Sequence, residues 1–232
     1  MSFSQEYGIM KNDLSKNLFK QINDEYRLET SKTCADCREQ RKRFKSLDKK
    51  NKHSSFSNLL PGFSSEQIEI PVDILIVGEA HGGGRENDFH KQLEIEEEVA
   101  YIGSYYLYDA IVKFHQYQIR ELLHRLDELS KMWVFTDLLK CYVANDRENR
   151  KIAIKHCEKH LISQIELLQP RVILALGKTV GTYFKLRQFD HSKLYDIDGK
   201  KILYSIFPGR NTSDLWVANG QWEPILREIE VN

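Results

Sequence analysis

The stretch "VDILIVGEAHGGG", Val72 to Gly84, decides the fold. Val72 to Val77 is a short, mostly apolar run that stops at glycine. Such a run reads as a strand buried on both faces, the kind found inside parallel sheets. The glycines after it mark a loop. Gly82 to Gly84 would let backbone amides approach a phosphate, or simply give a pliable connection. The stretch is not a nucleotide-binding fingerprint, because "GEAHGGGREND" has neither G-K-[ST] nor a proper G-x-G-x-x-G.

Three further runs share this grammar. "WVFTDLL" (133–139), "RVILALG" (171–177) and "KILYSIFPG" (201–209) are apolar and end in polar, Gly or Pro-Gly signals. Between them lie segments with helical spacing. Residues 99–131 carry Ile111, Phe114, Ile119, Leu122 and Leu126. Residues 147–168 carry Ile152, Ile154, Leu161, Ile165 and Leu168. "GKTVGTYFKL" and "GQWEPILREI" start two more helices. Alternating strands and helices predict an α/β fold: three layers, α/β/α, around a central, mainly parallel four-stranded sheet. In such sheets the ligand crevice lies at the carboxyl ends of the strands. The loops after Val77, Asp137 and Phe207 are therefore where a site is expected.

The chain has 232 residues, 41% of them hydrophobic, and a formal net charge of zero. That length buries a core without staples, and the overall charge selects no partner class. Charge is uneven locally. "REQRKRFKSLDKKNKH" (38–53) is basic and "ENDFHKQLEIEEE" (86–98) is acidic. The basic run reads as a solvated linker or as a surface for phosphate backbone. Lys140, Arg147, Arg150, Lys151 and Lys155 add cations along one helix, which also suits a plain solvated face. Leu14, Leu18, Phe19, Ile22 and Tyr26 predict an amphipathic helix, so residues 1–30 are read as an N-terminal helical segment and 31–232 as the main domain. No signal-peptide core and no stretch of ~20 apolar residues occurs, which predicts a cytoplasmic protein with no membrane partner.

All four cysteines fall into two pairs. Cys34 and Cys37 form the tight pair "CADC"; Cys141 and Cys157 have fifteen residues between them. Cytosolic cysteines are more often ligands or catalysts than disulfides. Four thiolates suit zinc or an iron–sulfide cluster. One cysteine acting as a nucleophile, or four behaving as small apolar side chains, are the other readings.

Together these segments resemble the uracil-DNA glycosylase superfamily. "VDILIVGEAHG" is similar to its first motif, a strand followed by G-E-A-P-G. "FTDLLKCYVANDR" resembles its "TNVVKCRPPGNR" segment, and "CEKHLISQIELLQPRVILALGKTV" the helix and strand that follow. "ILYSIFPGRNTS" stands where the second catalytic motif, H-P-S or H-P-A, is expected. The cysteine spacing resembles the iron–sulfur branch, the family 4 and 5 type, and implies a [4Fe–4S] cluster on Cys34, Cys37, Cys141 and Cys157. The implied partner is DNA and the implied state a monomer. The implied chemistry is extrusion of a nucleotide and hydrolysis of its N-glycosidic bond.

Carried over position by position, the resemblance implies the following. Gly78, Glu79 and Gly82 match the first motif, with His81 in place of proline. Tyr101 falls on the aromatic that stacks on the base, with Phe89 as the competitor. Asp137 falls on the asparagine that reads the base. Asn145 or Asp146 falls at the polar end of the second segment, and Glu79, His81 and Asp146 are the candidates for acid–base work. Phe207 falls on the catalytic histidine. Arg210, in the segment that enters the duplex, suits a phosphate or groove contact.

Two of these positions have changed chemistry. An asparagine amide donates to uracil O4 and accepts from N3–H, whereas an ionised carboxylate only accepts. Phe207 offers no donor to a departing anionic base, a loss worth ~10²–10³ in rate. A base edge with adjacent donors, such as guanine N1–H and N2–H₂, suits Asp137 better than uracil. A plain helix-cap or ion-pair role for Asp137 is the alternative. The alternative function is a relative that binds nucleic acid or a nucleotide without cleaving it.

Overall fold

The computed structural model describes residues 63–65, 69–80, 116–139, 147–207 and 222–231. Its strands are β1 (Phe63–Ser64), β2 (Ile74–Ala80), β3 (Trp133–Leu139), β4 (Val172–Leu176), β5 (Leu194–Ile197) and β6 (Lys200–Ser205). Its helices are α1 (Gln116–Glu128), α2 (Arg147–Leu168), α3 (Lys178–Tyr183) and α4 (Glu223–Val231). The expected N-terminal helix lies outside the described residues, as does the 99–115 part of the helix expected over 99–131.

The sheet order is β1-β3-β2-β4-β6-β5. The four central strands are mutually parallel, as expected from their apolar runs. Two short antiparallel strands extend them, β1 against β3 and β5 against β6. The expected strand at 201–209 is therefore the second arm of a hairpin. Asp198 and Gly199 turn it, both with positive φ, 53° and 75°. An Asp-Gly pair between apolar runs is the signal for that turn, and it was there to be read.

Side chains on the strands alternate between two cores. Ile74 and Ile76 of β2 pack with Ile119, Leu122 and Leu126 of α1 and Ile225 of α4. Leu75 and Val77 pack on the other face with Leu161 and Ile165 of α2 and Val180 of α3. These are the three layers the alternation of elements predicts.

The helix ends follow from local chemistry. After α1, Ser130 takes a left-handed φ of 52°. Its N–H donates to Asp127 O, and Lys131 N–H to Leu126 O. That pair of bonds is a Schellman stop. After α2, Gln169 has φ 44° and Pro170 cannot continue the helix. Along α2, Cys157, Leu161, Ile165 and Leu168 recur at steps of four, four and three, so one face is buried. Among the described residues, no helix is long and apolar enough to cross a membrane.

Candidate active site at the carboxyl ends of the parallel strands

The connection after β2 leads to β3 on one side, and that after β4 leads to the β5–β6 hairpin on the other. Adjacent strands whose connections diverge open a crevice at their carboxyl ends. The register shows where it opens. β2 pairs with β4 only as far as Val77–Ala175, yet pairs with β3 through Gly78–Asp137 to Ala80–Leu139.

This corrects two expectations. The first strand does not stop at Val77 but continues through Gly78, Glu79 and Ala80. The loop on this side begins after Leu139 rather than after Asp137, which lies inside the strand expected over 133–139, 6% exposed. A mid-strand position also rules out a helix-cap role. The physical reason is local. A Cβ at Gly78 would stand 2.4 Å from Asp137 Oδ1 and 3.3 Å from Phe135 Cζ. The glycine extends the ladder because it leaves room for the neighbouring carboxylate.

Phe207 comes to the same side of the sheet. It follows β6 by two residues and packs against the core shared by α1 and α4. Beneath it is Gly177, whose N–H donates to Ser205 O at 2.7 Å. Gly177 has φ 85° and ψ 165°, a region essentially reserved for glycine. A Cβ there would lie 3.1 Å from Phe207 Cβ. In the sequence Gly177 marks the end of one strand and the start of the next helical segment. The apolar run before it and the aromatic 30 positions later gave no hint that they meet.

Alternation along β2 sends Glu79 the other way, to the side of Leu75 and Val77. There it accepts a charged hydrogen bond from Arg150 Nη1, near the start of α2. Farther along that side Thr136 Oγ1 donates to Gln164 Oε1 at 3.0 Å, tying β3 to α2. Burial, then Tyr195, pushes the Tyr204 phenol above its usual range, so it stays neutral at neutral pH.

Cys157 is 5% exposed, in a small cluster with Ala153 and Leu139. Leu139 ends β3, two residues before Cys141 in the chain. The α2–β3 packing therefore brings Cys157 to the strand end from which the Cys141 segment departs. A thiol such as that of Cys157 is the donor type that soft metals take. Among the described residues no group of three or more His, Cys, Asp and Glu side chains gathers to hold a metal. Cys34, Cys37, Cys141, His81, Gly82, Tyr101, Asp146 and Arg210 lie outside the described residues.

A sequence profile of the Uracil DNA glycosylase superfamily matches residues 66–225, the span that carries the whole crevice. The chain belongs to the uracil-DNA glycosylase superfamily. Relatives of this member include the Type-4 uracil-DNA glycosylase of Archaeoglobus fulgidus, 26% identical over 149 residues, 64% of this chain and 63% of that protein. The Type-4 uracil-DNA glycosylase of Pyrobaculum aerophilum is 28% identical over 157 residues, 67% of this chain and 68% of that protein. That of Saccharolobus solfataricus is 30% identical over 91 residues, 38% and 42% of the two chains. The chain thus spans just under two thirds of the first relative's length.

Proposed function

We propose that the protein is a DNA glycosylase with a base specificity other than uracil. It binds DNA, draws one nucleotide out of the stack and hydrolyses its N-glycosidic bond. The observation that carries this reading is the buried Asp137 carboxylate opposite Gly78, at the crevice between β2 and β4. Phe207 stands over Gly177 on the far side of the crevice.

Asp137 supplies acceptors, so the base it holds presents adjacent N–H donors: a guanine-like or other amino-bearing base. Tyr101 stacks on the base, and the His81–Gly82 loop and Arg210 meet the DNA backbone. Asp146 is the carboxylate for activating water. Phe207 contributes shape and excludes solvent but gives no hydrogen bond to the leaving base. That loss favours one second reading, a relative that binds without cleaving.

Cys34, Cys37, Cys141 and Cys157 would hold a [4Fe–4S] cluster. Its contribution is a cross-link between the N-terminal segment, the end of β3 and α2. No step of base excision runs through it.

The deciding experiment is a glycosylase assay and a base-binding panel over varied bases in oligonucleotides, with Asp137→Asn and Phe207→His variants alongside. Tighter guanine than uracil binding supports the reading. Efficient uracil excision by the wild type overturns the assigned specificity. Binding without cleavage of any base selects the second reading.

A further inference from the structure

Glu79 sits in the Gly-Glu-Ala motif, yet it faces away from Asp137. We infer that Glu79 is a positioning residue: through Arg150 it fastens the carboxyl end of β2 to the start of α2, the helix that carries Cys157.

The contact is specific. Arg150 Nη1 donates to Glu79 Oε1. The side chains are 31% and 29% exposed, so the pair is shielded well beyond an ordinary surface pair. Arg150 Nε is buried without an acceptor among the described residues. Among the described residues Glu79 is thus the carboxylate that this half-buried guanidinium meets, and its removal leaves a partly desolvated cation with less compensation.

The location gives the contact its role. Past Val77, β2 has lost β4 as a neighbour and is held by β3 alone. The last turn of ladder beside the crevice thus lacks half its hydrogen-bonded support. Glu79 supplies a second anchor at that point, from the opposite face. The anchor is on the first turn of α2, seven residues before Cys157. The end of β2 and the start of the helix that carries Cys157 become one unit. Glu79 then holds Gly78 against Asp137 without touching the base.

The test uses the full chain carrying Glu79→Gln, Arg150→Ala, the double variant, and the exchanged pair Glu79→Arg/Arg150→Glu. It has three readouts: thermal unfolding, the rate at which a chelator bleaches the visible absorption of the cluster, and base binding or excision. The activity arm alone rests on the function proposed above. Each single variant should speed bleaching by about 2- to 10-fold. The double variant should be no worse than the worse single one, and the exchanged pair should recover part of the loss. Strict additivity, or no effect in either single variant, overturns the inference. So does Glu79→Gln abolishing excision at a wild-type bleaching rate while Arg150→Ala excises normally, because Glu79 would then act on substrate. If the wild type carries no cluster, the cluster reading fails separately. The pair is then judged by the same double-variant comparison in thermal unfolding, where coupling supports it and additivity overturns it.

Discussion

The Asp137 carboxylate occupies the space that a side chain at Gly78 would need: a Cβ there would be 2.4 Å from Asp137 Oδ1. Two neighbouring strands thus share one vacancy, and the residue type on one dictates what the other can carry. Gly78→Ala should destabilise the fold by about 1–3 kcal/mol through overpacking. In an Asp137→Ala background the same change should cost less than half as much, since the oxygen is gone and only Phe135 remains close. Denaturant unfolding of the four proteins measures this. Equal costs in both backgrounds would mean that the two residues do not compete.

Gly177→Ala should act on Phe207. The backbone at φ 85°, ψ 165° costs any other residue about 1–3 kcal/mol. The new methyl would also press on Phe207 Cβ. Loss of stability should therefore be accompanied by weaker base binding, read as a higher Kd in a fluorescence titration. A stability loss with unchanged Kd would place Phe207 outside the pocket.

Exchanging the two altered positions should move the specificity. Asp137→Asn restores an amide that both donates and accepts, and Phe207→His restores a donor near the leaving base. The double variant should gain uracil excision, with each single variant gaining less, because an electrostatic contribution of this kind is worth ~10²–10³ in rate. A product assay on uracil-containing oligonucleotides reads it. Failure of the double variant while binding is retained would show that the two side chains do not meet the base.

Cys→Ala changes separate a cluster from a nucleophile. With a cluster, each of Cys34, Cys37, Cys141 and Cys157 should matter to folding, and each variant should lose iron and melt earlier. A nucleophile predicts one inactive variant with an unchanged melting temperature. Iron content and thermal melts of the four variants distinguish the two.

The buried Thr136–Gln164 hydrogen bond joins β3 to α2. Gln164→Ala should cost about 1–3 kcal/mol, while Thr136→Val with Gln164→Leu should cost less than the sum of the single changes. Unfolding midpoints of the set check the coupling.

Much of this molecule is written locally. Four apolar runs, each closed by a polar, Gly or Pro-Gly signal, specify the parallel core because a strand covered on both faces has to be apolar throughout. Heptad-like spacing over 147–168 specifies α2 to its end residues. The short strands β1 and β5 escaped because two and four residues carry too little periodicity, although Asp198-Gly199 announced the hairpin. Cysteine spacing points to the family without reference to the fold.

The sequence by itself determined the order of the four central strands and the helices between them, the layers and the family. Tertiary structure decided which motif residues share a side of the sheet. Neighbouring residues on a strand point to opposite faces, so Gly78 and Glu79, adjacent in one motif, part company: one makes room for Asp137, the other reaches Arg150. Only the register of β2 against β3 and β4 sets those partners. Alternation restricts the register, because a slip of one residue would exchange the faces, but the partners come from strands far apart in the chain.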